Sequence, residues 1–563
     1  MKMYKIQFTV LALLIIAWPS FAGRLLVKPV DKHEKVVLIT DRSIYITGEK
    51  VQFFSSLSVG KEVNTPVLSK ILYCELIAPD GNKMAGSKFV INNSSASGCI
   101  DIPGNLLTGT YYLRAYTKLM RNYGPESYGY QQIRIVNPAK DEVAAADNAR
   151  NSATPQILPF PVIDIKDLLS FSVDKTTCSP RETISLSLRA ENAEENGIKN
   201  VSISVVPDNT SSAQVNFQSS KKPVVDKLDY YPETRGLSVS GKLTIAGTEK
   251  PIPDKKVNLS IIGDGRDFMA VRTDSLGRFF FALPALSGSR DLFICAEKID
   301  SVKVKIWVDN DYCTLPFHLP SPDFKLSETE RETAYILARN MQINNRFYTD
   351  SLPKTQSARS DNEVFYGKPT ATIHIDEYIQ LPTLEEYFNE LPSEVKVRKR
   401  KGQQHFAVLG STGVSFYDPL VMIDWVAIDE PSRMLAVSPQ NISRIEVVNE
   451  DYVKGGQIYG GIISIISKKG DFAGIDLPSA GIFINYQFLP DNDCKSMIYD
   501  NIPNHPDSRN TILWKPVVTI QNGKFEKFEF TAPDTPGKYT VVLEGISLKG
   551  EMFSTTSVFE VKN

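Results

Sequence analysis

The 563-residue chain carries 63 lysines and arginines against 65 aspartates and glutamates, a formal net charge of -2, so nothing in it favours non-specific attraction to nucleic acid. Its length allows about three to five domains, and 34 prolines with 33 glycines fit a turn-rich, mainly β protein.

In chain order, residues 1–22 read as a signal peptide. Lys2 and Lys5 give a basic start, residues 8–18 an apolar stretch, and Ser20 and Ala22 the small residues for cleavage before Gly23. No Cys stands at that point for a lipid anchor. The apolar stretch is short for a transmembrane helix and no later one approaches twenty residues. The expectation is an exported protein, periplasmic or associated with an outer membrane, without a transmembrane segment of its own after cleavage.

Residues 23–138 alternate apolar and polar in short runs divided by turns at Gly48 and Asp80–Gly81, the pattern of an immunoglobulin-like sandwich. "TDRSIYITGEKVQF" and "LLTGTYYLRAYT" resemble the second macroglobulin domain of α2-macroglobulin-like proteins. Residues 139–167 are polar, then Pro-interrupted, and read as a linker. In residues 168–235, "LSFSVDKTTCSPRETISLSLRAEN" resembles a second macroglobulin-type sandwich. Residues 236–310 join "KVNLSI" to the apolar "RFFFALP" through a turn at Gly277, and resemble the transthyretin-like domain described as carboxypeptidase-regulatory-like.

Residues 311–382 hold a helix and a connecting segment. Ser327 is placed to cap this helix with Glu330 at its third position, and Ala334, Leu337, Ala338 and Met341 recur on one face. A tail, residues 473–563, carries a hairpin turn at Asn522–Gly523 and again resembles a macroglobulin-type sandwich.

Between them, residues 383–472 depart from the sandwich pattern. An apolar run ends at Asp424, Ile445 and Val447 alternate with Arg444 and Glu446, and glycines precede "IISIIS", apolar enough for burial on both faces. Order and spacing resemble the plug domain of TonB-dependent outer-membrane receptors, which implies a small α/β unit. Trp425 stands where that family commonly has Gly. A receptor barrel of about 22 strands at ~9–11 residues each takes on the order of 200 residues, which the residues after 472 do not supply. The fold class expected is therefore mainly β and multi-domain: macroglobulin-type and transthyretin-like sandwiches plus a small α/β plug-like unit.

The α2-macroglobulin resemblance raises the thioester trap, but no cysteine opens a Cys-Gly-Glu-Gln run. There is no HExxH set, no CxxC spacing and no nucleophile elbow. His374, two residues before Asp376, and His318 read as satisfied or surface histidines, and Glu385–Glu386 as a helix start favoured by the dipole. No enzyme, metal or cofactor is expected.

Two patches are candidates for partner contact: the basic run Arg398, Lys399, Arg400 and Lys401, and the tyrosines Tyr123, Tyr128 and Tyr130. Among six cysteines, Cys74 and Cys99 lie in adjacent predicted strands and are the expected disulfide. These readings favour a non-enzymatic scaffold or binding protein contacting partner proteins, an outer-membrane β-barrel among them. One alternative is an accessory of TonB-dependent uptake supplying a plug in trans. Another is a non-covalent macroglobulin-like protease inhibitor cut within residues 141–155.

Overall fold

The computed structural model describes residues 33–59, 67–144, 157–159, 162–163, 169–190, 198, 200–211, 216–219, 228–263, 265–299, 302–347, 364–400, 402–410, 417–454, 456–491, 494, 505–521, 523–547 and 552–563. The signal peptide expected at residues 1–22 lies outside them. No helix among the described residues is long and apolar enough to cross a membrane.

The N-terminal alternation produces two facing sheets. Glu34–Thr40, Lys50–Val59 and Ser95–Asp101 make one. Lys83–Val90, Ile71–Ile77, Gly109–Tyr116 and Gly129–Val136 make the other, with Ile44–Ile46 parallel to the last. Leu38, Phe53, Leu76, Leu113 and Ile133 fill the space between. Gly98 is needed here because a Cβ would stand 2.1 Å from the Phe89 ring, which packs edge-on against Phe53. Asn216–Ser219 and Ile157–Pro159 extend the second sheet. Val162–Ile163 pairs instead with Met552–Val561. Within the expected linker, 157–159 and 162–163 thus pair with sheet edges: an extended backbone next to proline still offers its polar groups to an open edge.

The sandwiches expected at 168–235 and 473–563 are one sandwich. Asn200–Pro207 lies between Leu513–Thr519 and Gly537–Ile546, which pairs on to Met552–Val561. Leu169–Val173, Thr183–Ala190 and Phe525–Thr531 form the opposite sheet. Ile184, Leu186, Val201 and Ile203 from the first span share a core with Val541, Leu543, Phe553 and Phe559 from the second. Neither span has enough strands to bury its own apolar face, so each closes on the other.

Inside this split sandwich is inserted another. Ser238–Ile245 lies between Arg278–Ala282 and Val304–Val308. The facing sheet runs Asp267–Arg272, Lys256–Ile262, Ser289–Ala296 and Ile482–Gln487. Its last strand comes from the tail expected to belong to the C-terminal sandwich.

Helix α1 (Glu328–Phe347) keeps its expected cap: Glu330 N–H donates to Ser327 Oγ at 3.2 Å and Ser327 N–H to Glu330 Oε2 at 2.9 Å. Its Ala334, Leu337 and Ala338 pack on Ile44 and Ile46.

The remaining residues build a mixed unit with its own sheet, in the order Ala371–His374, Ile442–Val448, Ile462–Ser467, Leu420–Ile423, Val426–Ala427. Leu420–Ile423 runs parallel to Ile462–Ser467 and the other pairs are antiparallel. Helices α2 (Leu384–Glu390) and α3 (Pro431–Leu435) and the hairpin Val395–Arg400/Gln403–Val408 complete it. Ile445, Ile463 and Ile465 pack in its core with Leu384, Phe388 and Met434.

Candidate interaction surfaces

The basic run occupies one arm of the Val395–Arg400/Gln403–Val408 hairpin, which pairs with no other strand among the described residues. Alternation sorts its side chains. Val395, Phe406 and Val408 are buried, and Phe406 meets Phe388 of α2 edge-on at 5.0 Å. Gln404 Nε2 donates to Glu385 Oε2 at 2.8 Å, while Thr383 caps α2 by accepting from Glu386 N–H. The anchored base leaves Arg398 and Lys399 exposed near the tip, opposite His405 and Gln404. Gly402 turns the tip at φ 80°. The Arg400 side chain and Lys401 lie outside the described residues.

Trp425, the departure from the expected glycine, sits with Asp424 in the two-residue loop between Leu420–Ile423 and Val426–Ala427. Both have positive φ, 44° and 69°, as a mirror-image hairpin turn requires, at a cost of roughly 1–2 kcal/mol for a residue with a Cβ. The contacts that hold it are visible. Asp424 accepts from Ser467 N–H at 2.9 Å, Ser467 Oγ at 2.6 Å and Phe472 N–H at 2.9 Å. The Trp425 carbonyl accepts from Ser260 Oγ at 2.8 Å, and Arg266 lies 4.4 Å from the ring centre. A glycine carbonyl would accept the Ser260 bond equally; what the indole adds is the Arg266 contact between the mixed unit and the inserted sandwich.

The tyrosine patch does not exist as a surface. Tyr128 and Tyr130 are buried: Tyr128 stacks on Tyr116 at 4.3 Å, and Tyr130 on Phe317 at 5.5 Å while donating to the Pro125 carbonyl. Burial pushes both hydroxyls above the usual phenol range. The physical reason is the segment Asn310–Pro320, which crosses this face of the N-terminal sandwich and carries Phe317. Only Tyr123 stays half-buried, near His33.

Around these rings lies a polar network that motif reading missed. Arg114 donates to Glu75 Oε2 from Nε at 3.0 Å and Nη2 at 2.7 Å, and Tyr116 donates to the same oxygen at 2.9 Å. Both members of this ion pair are fully buried. Lys88, buried beside Tyr486, bonds Asp311 and the Gln487 carbonyl. Burial lowers its ammonium pKa, with Asp311 opposing. Glu233 accepts from Tyr73 Oη and Ser238 Oγ. The network ties the N-terminal sandwich to the inserted one. Its one sequence signal was charge inside apolar strands, Glu75 in "ILYCELI" and Arg114 in "TYYLRAY".

The disulfide is Cys99–Cys494, not Cys74–Cys99. Cys99 shares its face with exposed Ser97 and Asp101, away from the buried Ala96 and Ile100. Cys74 lies in the opposing sheet, packed in the core with Leu72 and Leu76, and is a buried thiol. His374 is exposed, and Asp376 binds Lys468 at 2.8 Å instead; His318 is also exposed. Of residues 141–155, those after 144 lie outside the described residues.

A second surface carries no sequence motif. In "RFFFALP", Phe279 and Phe281 point inward while Phe280 is 37% exposed. Trp307, on the same outer face of the inserted sandwich, is 45% exposed, and Tyr231 nearby is 46% exposed.

No family model and no curated protein matches the sequence. Among solved structures, a Salmonella alpha-2-macroglobulin shows 9% identity over 94% of this chain and 39% of its own, with a TM-score of 0.24. Trypsin-activated alpha-2-macroglobulin from Escherichia coli shows 10% identity over 95% and 42%, with a TM-score of 0.24. Dimeric latent PorU from Porphyromonas gingivalis shows 10% identity over 49% and 34%, with a TM-score of 0.16. The chain spans about two fifths of the length of these macroglobulins.

Proposed function

We propose that this chain is an exported, non-enzymatic scaffold that contacts an acidic protein partner through the Val395–Arg400/Gln403–Val408 hairpin. The observation that carries the reading is the hairpin's division of labour. One end is fixed by Val395, Phe406 and Val408 on the mixed unit, while Arg398 and Lys399 stand in solvent at the other. Exposed cations on a rigid support raise encounter rate and select charge-complementary partners. Of the buried ionic groups, Lys88 with Asp311 reaches from the N-terminal sandwich to the segment that follows the inserted one, while Glu75 with Arg114 ties neighbouring strands of a single sheet.

The test is crosslinking in intact cells with the run Arg398, Lys399, Arg400 and Lys401 changed to glutamate. The expected result is loss of the crosslinked protein with an unchanged circular dichroism spectrum. An unchanged crosslink pattern would remove the hairpin from the interface.

A second reading, an accessory of TonB-dependent uptake, is favoured by the mixed unit's having a sheet of its own. It predicts that the crosslinked protein is an outer-membrane barrel and that the glutamate variant slows uptake through it.

A further inference from the structure

The hairpin Val395–Arg400/Gln403–Val408 has two open edges among the described residues. At its base Leu409 N–H donates to the Glu394 carbonyl at 2.6 Å, and antiparallel pairs alternate between bonded and unbonded. Lys396 with Ala407 and Arg398 with His405 therefore bond each other across the ladder. Val397 and Lys399, opposite Phe406 and Gln404, turn their backbone N–H and C=O groups outward. No described residue bonds these outward groups. An edge with free backbone groups is a template for one more strand.

Side chains distinguish the two edges. Val395, Phe406 and Val408 face α2 and pack with Leu384 and Phe388. The opposite face carries Glu394, Lys396 and Arg398 along the first strand, and His405 and Ala407 along the second. Lys396, Arg398 and the exposed Lys399 have no ion-pair partner among the described residues. The acids of the surrounding elements leave these cations free. Glu385 accepts from the Gln404 amide, and Glu386 and Glu390 belong to α2. Glu430, before α3, is paired with Lys298 and Arg433. Glu394 stands at the base of the row, behind Lys396. Only the edge of the first strand thus combines free backbone groups with unpaired positive charge.

A strand laid along Val397 and Lys399 brings its side chains to about 4.5–5.5 Å from those of the first strand. Acidic residues at alternate positions, about 7 Å apart, then meet Lys396 and Arg398. The residues between them continue the apolar row of Val395 and Val397. Free backbone groups call for an extended polypeptide, and the cations set its sign. We propose, on the reading of the hairpin as the contact with an acidic partner, that this partner binds as an extended segment of alternating acidic and apolar residues added as a strand to the Val395–Arg400 edge.

The experiment is fluorescence anisotropy of the full chain with a labelled eight-residue peptide of alternating valine and glutamate, at one fixed salt concentration. The expected result is saturable binding. N-methylation of one alternating set, the valines or the glutamates, abolishes it and of the other set retains it, because only one set turns its N–H groups to the hairpin. Lys399→Pro removes an edge N–H that the hairpin's own ladder does not use. It weakens binding about three- to tenfold more than Lys399→Ala, which removes the same charge. Equal binding of both methylated peptides would overturn strand addition and leave charge attraction by the hairpin standing. Absence of peptide binding would also overturn it, and the crosslink of the glutamate variant in cells then reports separately on whether the hairpin contacts the partner. Circular dichroism of each variant separates loss of binding from loss of fold.

Discussion

The N-terminal sandwich and the split sandwich are made of similar alternating strands but close by different means. The first draws most of its strands from residues 34–136, and neighbours in sequence are mostly neighbours in space. The second sets Ser202 beside Glu544, 342 residues away. Loop closure costs grow only slowly with length, and here the intervening residues fold into units of their own, which brings the two halves within reach. The contrast teaches that alternation identifies a strand and its buried face without identifying which strand covers it.

The interiors differ too, and three changes sharpen the comparison. The largest effect is expected in the N-terminal sandwich. Glu75→Gln leaves the Arg114 guanidinium buried without its counter-charge, and should cost about 3–5 kcal/mol. Hydrogen exchange should show it as lost protection in Ile71–Ile77 and Gly109–Tyr116, with Asn200–Pro207 unchanged.

The split sandwich instead buries the Glu544 carboxyl. Burial pushes Glu544 up to about 8, with the Ser554 hydroxyl opposing. Between pH 4.5 and 8 the folded chain holds this proton and the unfolded chain does not, so stability falls as pH rises through that window and levels off above it. Glu544→Gln should remove the slope and stabilise Gly537–Ile546 at pH 8 relative to the parent by on the order of 3 kcal/mol. Equal protection of parent and variant at both ends of the window would refute the burial argument.

The smallest effect is expected at the seam between the two halves. Arg181 binds Asp534 with Nε at 2.7 Å and Nη2 at 2.8 Å, but both side chains are partly exposed. Arg181→Ala should cost about 0.2–1 kcal/mol, read as a small shift in the denaturant midpoint of the split sandwich alone. A larger loss would mean that the seam, not the shared core, holds the halves together.

Much of the fold was legible in the chain because it rests on local rules. The Ser327 cap with its Glu330 partner, the apolar stripe of α1 and the doubly buried "IISIIS" follow from helical and strand periodicity. The sites were less legible. Tyr128 and Tyr130 looked like loop aromatics because the segment that covers them begins about 180 residues later. Cys74 and Cys99 looked adjacent because sequence does not say which sheet a strand joins. Trp425 was visible as a departure, yet what its ring does depends on Arg266.

The sequence by itself determined the elements, because propensity, capping and alternation act within a few residues of chain. Only the tertiary structure decided how the split sandwich closes, where Cys99 finds Cys494, and which aromatics reach solvent. Those outcomes depend on which apolar face covers which, a choice made between surfaces hundreds of residues apart.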